Sequence, residues 1–420
     1  MNLLHPNCAA LDVHKKTVVV CHRKQRPDGE ADTQTRTFST MTADLLALSD
    51  WLLACEATHV AMESTGEYWK PVYNILEAAF SAECLLLVNA AHVKNVPGRK
   101  TDAKDSEWLA ELLAFGLVKA SFVPPPPQRQ LRELSRHRYN FVRERVNLVN
   151  RLQKTLESAN IKLASVASDV LGKSGRAMLD ALVAGSTDSQ ALAELSLGKL
   201  RSKREQLARA LEGRVGPHHR FILSELLCQI DSLDETISRF DSAIEEACNA
   251  EVPFGEAVAR LDTIPGIARS AAEQIVAEIG TDMGRFPSAA HLAAWAGLAP
   301  GNNQSGGKRY PGRTRQGNLT VRRVLIEAAH AASHTKETFL SAQYHRLAAR
   351  RGKKRALVAV AHSILVICFH LISRKQDYQE LGADYTDRQK PEATVRRLVG
   401  RLSRLGYDVY LNPKAEPVAA

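Results

Sequence analysis

Apolar runs in the first 122 residues predict a sheet flanked by helices. Two runs rich in valine and leucine lie on either side of residues 14–16, and strand-like segments follow at residues 36–39, 59–63 and 84–89. Helical patterns at residues 42–55, 67–80 and 102–115 alternate with these segments. Paired strands followed by alternating helices and strands predict an α/β domain over residues 1–122.

Long helices dominate the pattern from residue 123 to residue 250. Four consecutive prolines at residues 124–127 predict a short, stiff spacer of polyproline II type. Residues 129–163 then predict one long helix. A second stretch has apolar residues at spacings of three and four, typical of a coiled-coil seam that joins two subunits or packs inside one chain. The seam positions are Leu223, Leu226, Ile230, Leu233, Ile237, Phe240, Ile244 and Ala247.

The remaining sequence predicts a mainly helical domain over residues 251–374 and a basic tail over residues 375–420. Residues 356–372 are almost wholly apolar, but they are fewer than the about 20 residues that a membrane span needs, and they include two histidines. We therefore interpret this stretch as a buried core helix and expect no membrane association.

Composition changes this picture mainly through charge. The 420 residues contain 56 Lys and Arg against 46 Asp and Glu, a net charge of +10, so a polyanion such as nucleic acid is the first partner to consider. With 45% hydrophobic residues the chain is not disordered as a whole. The seven cysteines are scattered without a C-x-x-C pair, which argues against a disulfide framework or a zinc ribbon. The N-terminus has no signal-peptide pattern, so we expect a cytoplasmic protein.

Four acidic residues in the first domain are candidate metal ligands. Asp12 lies on the first predicted strand, Glu63 ends a later one, and Asp102 and Asp105 are three residues apart at the start of a helix. Carboxylates that converge in this way select Mg²⁺ or Mn²⁺, and two such ions can clamp both oxygens of a phosphodiester exchange. Three of the four acids also have an ordinary structural interpretation: a turn cap for Asp12, the helix N-cap for Asp102, and a favourable helix-start charge for Asp105. Glu63 is the strongest candidate, because an ionisable group at the end of an apolar strand is costly unless it is exposed in a cleft or paired.

The second cluster of candidate chemistry lies between residues 261 and 323. An apolar run, the turn around Pro265 and Gly266, and a second helical pattern predict a helix-hairpin-helix that meets a phosphate, although an ordinary turn between two packed helices fits as well. Downstream, a glycine-rich segment contains Ser305, which is either a nucleophile activated by nearby cations or a simple turn residue. Six basic residues and no acid follow: Lys308, Arg309, Arg313, Arg315, Arg322 and Arg323.

Five sequence blocks together resemble the transposases of insertion-sequence 110 type, including the 1111 subgroup. The blocks are ALDVHKK, ESTGEYWKPVYNILE, RKTDAKDSEWLAELLAFGLV, LDTIPGIARSAAEQIVAEIG and APGNNQSGGKRYPGRTRQGN. The resemblance implies a RuvC-like, RNase H-like domain with a DEDD metal site, joined by a coiled coil to a domain with a catalytic serine. Matched motif by motif, the tetrad is Asp12, Glu63, Asp102 and Asp105, and the serine is Ser305.

The resemblance also implies partners and an assembly. The serine would attack DNA and form a transient phosphoserine link, with the metal site of one subunit meeting the serine of another. A homodimer would assemble into a homotetramer, and a structured non-coding bridge RNA would pair with donor and target DNA. Residues 165–217 and the tail match nothing specific. We expect a bacterial Mg²⁺-dependent transposase; the alternatives are a Holliday-junction resolvase that activates water and a non-catalytic nucleic-acid scaffold.

Overall fold

The chain folds into two compact units, Met1–Pro124 and Pro125–Ala420. The computed structural model describes residues 3–64, 66–89, 105–301, 304–309, 312, 314, 316–389 and 391–412, with the backbone alone at Ser305 and Arg309. The four segments that we expect from the sequence, with boundaries at 122, 250 and 374, stay a prediction.

The first unit contains a six-stranded mixed sheet. Its strands are β1 (Asn7–Val13), β2 (Thr17–Gln25), β3 (Ala31–Ser39), β4 (His59–Glu63), β5 (Leu85–Val88) and β6 (Ala120–Ser121). The strand order is β3-β2-β1-β4-β5-β6. The pairs β1/β4 and β4/β5 are parallel, while β1/β2, β2/β3 and β5/β6 are antiparallel. The predicted α/β class is therefore confirmed for this part of the chain.

Helices cover both faces of the sheet. One face packs against α1 (Thr42–Ala54) and α2 (Trp69–Leu76), with Leu11 and Val20 in the shared core. The other face packs against α3 (Asp105–Ala114), where Cys8 and Ala10 contact the buried side of the helix. Because side chains alternate along each strand, the two cores draw on alternate residues of β1.

The second unit begins with two long helices. Helix α4 (Pro126–Ser158) starts inside the proline run, with Pro126 and Pro127 in its first turn. Proline is tolerated there because the backbone N–H groups of the first turn have no partner within the helix. The stiff spacer that the sequence predicts is therefore shorter than expected. Three short helices follow: α5 (Lys173–Val183), α6 (Ser189–Glu194) and α7 (Arg204–Leu211). The second long helix is α8 (Pro217–Ala250).

Inside the chain, the apolar seam of α8 faces α4. The rings of Phe141 and Phe240 lie 5.2 Å apart, and ion pairs join Arg138 to Asp241 and Arg145 to Asp234. Higher residue numbers on α4 thus face lower numbers on α8, so the two helices are antiparallel. Of the two interpretations of the seam, packing within one chain accounts for its buried positions.

The rest of the second unit is a helical core. It comprises α9 (Val252–Asp262), α10 (Arg269–Ile279), α11 (Ala289–Trp295), α12 (Leu319–His334), α13 (Phe339–Arg351) and α14 (Lys353–Arg374); two exposed helices follow, α15 (Tyr385–Gln389) and α16 (Pro391–Arg404). Helix α14 is long and apolar enough to cross a membrane by length and composition alone. Its residues Val360, Ile364 and Cys368 are fully buried in the core, as expected for a core helix.

The turn between α9 and α10 is explained by packing. Gly266 has a φ of +91°, and a Cβ there would lie 2.5 Å from the carbonyl oxygen of Ala328 and from the amide nitrogen of Ala332, both on α12. Only glycine allows this approach. The structure thus shows a tight turn between two helices, and a phosphate-binding role for this turn stays a prediction.

Candidate active site

Two carboxylates lie at the same end of two neighbouring parallel strands. Asp12 is the next-to-last residue of β1, and Glu63 is the last residue of β4. In the register of this pair Leu11 is opposite Met62, so the next positions along the two strands are Asp12 and Glu63. Paired strands lie about 4.8 Å apart, and neighbouring positions project to the same face. Both side chains are half-buried at the carboxyl edge of the sheet.

The face of the sheet that carries these acids is the one that α3 covers. Side chains alternate along a strand, so Asp12 shares a face with Cys8 and Ala10, which pack against α3. Glu63 shares this face with Ala61, for the same reason. Asp105 is the first residue of α3 and is half-buried. The structure thus places three of the four predicted acids on one side of the sheet.

Asp102, the fourth predicted ligand, lies outside the described residues. Within the described parts of the chain, no three His, Cys, Asp or Glu side chains are grouped closely enough to hold a metal ion. The side chains of Asp12, Glu63 and Asp105 are still suitable for a metal ion, because carboxylate oxygens are the ligands that Mg²⁺ and Mn²⁺ prefer. The three described acids therefore have the chemistry of hard-cation ligands, and their assignment as metal ligands stays a prediction.

A histidine contacts the first of these acids. The Nε2 atom of His14 lies 3.2 Å from an Oδ of Asp12, and the two side chains are 57% and 27% exposed. A protonated His14 would place a positive charge where a metal ion is expected. His14 therefore competes with a metal ion for the Asp12 carboxylate.

Ser305 lies at the tip of a small hairpin. The strands β7 (Gln304–Ser305) and β8 (Lys308–Arg309) are antiparallel, and Ser305 is directly opposite Lys308. The two residues between them, Gly306 and Gly307, have φ values of +56° and +75°, the pattern of a type I′ turn. The described tip positions are exposed. This hairpin presents the serine backbone directly across from a cation, in a turn that two glycines make possible.

Other glycines of the same loop fit against the protein's own backbone. A Cβ at Gly312 would lie 2.0 Å from the carbonyl oxygen of Gly301, and one at Gly317 would lie 2.3 Å from the amide nitrogen of Gly297. A glycine-rich sequence on its own predicts that the backbone approaches a ligand at these positions. For Gly312 and Gly317 the structure gives a different reason, since they close the base of the loop.

The six predicted basic residues are placed differently. Lys308 is exposed on β8, whereas Arg313, Arg315 and the Arg309 side chain lie outside what the structure describes. Arg322 donates from Nη2 to the Thr314 hydroxyl at 3.1 Å. The Arg323 guanidinium carbon lies 3.2 Å from the centre of the Tyr139 ring. Arg322 thus contacts the loop, and Arg323 packs on α4, whereas Lys308 is open to solvent.

Sequence reasoning missed a polar cluster beside the end of this loop. Its centre is Glu278, which is buried near the end of α10 and is contacted by Arg132, Arg136 and Asn318. One signal for it was present: a lone acid in the last turn of an apolar helix opposes the helix dipole and needs a partner. The partners themselves are distant in sequence and give no local pattern.

Two family models match the chain. A transposase model of the DEDD IS110 type matches residues 9–161, and a second, described as "Transposase IS116/IS110/IS902 family", matches residues 258–345. The chain belongs to the IS110 family of transposases. The first match contains all four predicted acids, and the second contains Ser305 with the six basic residues.

Curated relatives share about a quarter of the aligned residues with this transposase. The transposase for insertion sequence element IS1111A of Coxiella burnetii is 26% identical over 298 residues, 70% of this chain and 72% of that protein. A putative transposase of Sinorhizobium fredii, y4pF/y4sB, is 25% identical over 330 residues, 77% of this chain and 75% of its own. A pilin gene-inverting protein of Moraxella bovis is 26% identical over 149 residues, 35% of this chain and 46% of its own.

Membership in the family fixes the broad activity. The transposase acts on DNA in transposition or recombination, and its DEDD domain suggests the use of a divalent metal ion. The positions of the acids at the strand ends agree with such a use.

Proposed function

We propose that the transposase cuts and rejoins DNA through a covalent link to Ser305, with Asp12, Glu63, Asp102 and Asp105 as metal ligands. The observation that carries the proposal is the exposed hairpin that places Ser305 opposite Lys308 across two glycines. A hydroxyl carried on this exposed turn would be accessible to a DNA strand, and the Lys308 ammonium would favour the negative charge that develops on a reacting phosphate.

The four acids would form the metal site of a RuvC-like domain. Support comes from the mixed sheet, with Asp12 and Glu63 ending neighbouring strands on the face that α3 covers. Mg²⁺ is the ion that we propose, with Mn²⁺ as a substitute, because the donors are carboxylate oxygens. When bound there, the ion would supply positive charge to phosphate oxygens.

The serine step exchanges one phosphodiester for another. The Ser305 oxygen forms a bond to phosphorus and gives up its proton, while the bond from phosphorus to the DNA 3′ oxygen breaks and that oxygen takes up a proton. Rejoining is the reverse step with a new 3′ hydroxyl. Because the bond type is conserved, the cycle needs no external energy source. Lys308 and neighbouring cations would hold the strand by its phosphates.

Further parts of the proposal rest on the resemblance to the family. A bridge RNA made from the element would pair with donor and target DNA, and two dimers would form a tetramer in which the acids of one subunit serve the serine of another. The basic composition supports nucleic-acid partners of both kinds. The relative named as a pilin gene-inverting protein supports a recombinase that rejoins what it cuts.

Excision from cells that carry the intact element tests the proposal. We expect Ser305→Ala and Asp12→Asn each to abolish excision, while the exposed controls Ser202→Ala and Asp44→Asn leave it unchanged. Denaturing lysis during excision should recover protein joined to DNA from the parent and from neither of the two inactive variants.

The main alternative is a resolvase-like nuclease in which the same acids activate water. In that case Ser305→Ala would still cut DNA, and no protein would be joined to the strand. A non-catalytic scaffold would tolerate Asp12→Asn. Either result would overturn the serine mechanism.

A further inference from the structure

A buried carboxylate connects three separate parts of the second unit. The Glu278 side chain is 1% exposed and lies in the last turn of α10. A charged group in this position is costly, because burial removes its water and the helix end already carries partial negative charge. Such a group persists only where several donors satisfy it.

Two arginines of α4 supply part of this compensation. Arg136 donates from Nε and Nη2 to the two carboxylate oxygens at 2.7 and 3.0 Å. Arg132 donates from Nη2 to the Glu278 carbonyl oxygen at 2.7 Å, and its Nε lies 3.4 Å from a carboxylate oxygen. These bonds fix the end of α10 to the beginning of α4.

The third donor is the residue at which the serine-bearing loop ends. The Nδ2 atom of Asn318 donates to an Oε of Glu278 at 2.7 Å. The Oδ1 atom of the same side chain accepts from the Val321 amide at 3.0 Å and so caps α12. Asn318 thus has two separate roles: it caps α12, and it joins the end of the loop to the Glu278 carboxylate by a hydrogen bond.

Asn318 also lies at the base of the loop. The backbone amide of Asn318 donates to the carbonyl oxygen of Trp295, the last residue of α11, at 3.2 Å. Above this point Pro300 pairs with Thr314 in an isolated bridge, and the Arg322 side chain of α12 donates to the Thr314 hydroxyl. Ser305 lies between Pro300 and Thr314 in the sequence, so the described contacts of Asn318 and Arg322 hold the base of the segment that carries the hairpin.

We propose that Glu278 and Asn318 are a positioning pair, whose hydrogen bond sets where the Ser305 hairpin stands relative to the helical core. This inference rests on the proposed role of Ser305. Neither residue touches the reacting phosphate. Their effect is on the fraction of molecules in which the hairpin is correctly placed, and small displacements of a reacting group carry a large penalty in rate.

Substitution of Asn318 can separate the two roles. Asn318→Asp and Asn318→Ser both keep an oxygen that caps α12, since Asp and Ser are good N-caps. Asn318→Asp places a second carboxylate against Glu278, and serine is too short to reach it. We expect both variants to melt within a few degrees of the parent and to lower excision from the intact element about tenfold or more.

An exchange of donor and acceptor provides the decisive comparison. In the double variant Glu278→Gln with Asn318→Asp, the glutamine amide can donate to the new carboxylate, and one negative charge remains beside Arg132 and Arg136. We expect excision by the double variant to recover to within about threefold of the parent, above that of Asn318→Asp alone. A role in stability alone predicts instead that excision follows the melting temperature in all of these variants, whereas a positioning role predicts that excision is lost and recovered at a nearly constant melting temperature.

Two references make the outcomes distinguishable. Asp188→Ala removes the N-cap of α6, a helix whose buried residues belong to the core between α4 and α8, and should lower the melting temperature without lowering excision per soluble molecule. Ser305→Ala reports on the proposed function itself.

If Ser305→Ala is inactive while Asn318→Asp and Asn318→Ser excise at the parent level, the positioning role is wrong and the serine mechanism stands. If Ser305→Ala is active, the serine mechanism is wrong. Failure of the double variant to exceed Asn318→Asp also refutes the positioning role.

Discussion

Gly317→Ala should move the serine-bearing loop without touching its tip. A Cβ at this position would lie 2.3 Å from the Gly297 nitrogen and 2.5 Å from the carbonyl atoms of Ala296 and Trp295, whereas ordinary contact begins near 3.4 Å. All three neighbours are backbone atoms, so no flexible side chain can move aside. The loop base and the end of α11 must separate by about 1 Å.

Two magnitudes follow from this displacement. Forcing a methyl group into a closed site costs about 1–3 kcal/mol of unfolding free energy. A shift of about 1 Å at a reacting group lowers the rate by about 100-fold. We therefore expect a modest loss of stability and a disproportionate loss of excision, because the clash lies at the base from which the Ser305 hairpin extends.

The assay pairs excision from the intact element with thermal melting of the purified protein. Gly400→Ala is the matched control, since Gly400 lies in α16 and a methyl group there would meet no neighbouring atom within 4 Å. It should keep parent excision and stability, with a gain of at most about 1 kcal/mol. Parent-level excision by Gly317→Ala would refute the argument that the loop base sets the position of the serine.

Three further predictions concern stability and thiol chemistry. Leu152→Ala, in the core between α4 and α8, should cost about 2–5 kcal/mol in chemical denaturation, and a loss below about 1 kcal/mol would contradict that packing. Burial raises the pKa of the Cys368 thiol to about 12, so in the native protein a thiol reagent should label exposed Cys228 well before Cys368; equal rates would contradict the fold. The hydrogen bond from Arg176 lowers the pKa of Asp231 below its ordinary 3.8, so this carboxylate stabilises the folded state above that pH and the contribution is lost as the pH falls through the lowered value. Asp231→Asn should cost less than about 1 kcal/mol near pH 7 and still less near pH 3 in urea unfolding, and a cost that grows on acidification would refute this.

The sheet was predictable because its strands carry local signals. Apolar runs place β1, β2, β4 and β5 within one or two residues at most of their ends, with the exception of the polar extension of β2 to Gln25. Strand β3 begins at Ala31, whereas the sequence predicts its start at residue 36. The early part of the strand gives no signal, because residues 31–37 are all exposed and all but Ala31 are polar. An edge strand held by backbone pairing to β2 has no hydrophobic alternation to reveal it.

The candidate site was predictable only where chemistry and local sequence coincide. Asp12, Glu63 and Asp105 were identified from strand ends and a helix start, and the structure places them on one side of the sheet. The tie between Glu278 and Asn318 was not predictable, because its members lie 40 residues apart and meet only through tertiary packing. The packing at Gly312 and Gly317 was not predictable either, because their backbone neighbours are visible only in the fold.

The most direct test of the central claim is to identify the amino acid that becomes joined to DNA. Protein trapped on the element's DNA during excision would be digested with protease and nuclease, and the residual nucleotide would be located by mass spectrometry. We expect a nucleotide on Ser305, in the peptide around the two-glycine turn. A nucleotide on another residue, or active cleavage with no linked peptide, would contradict the serine mechanism.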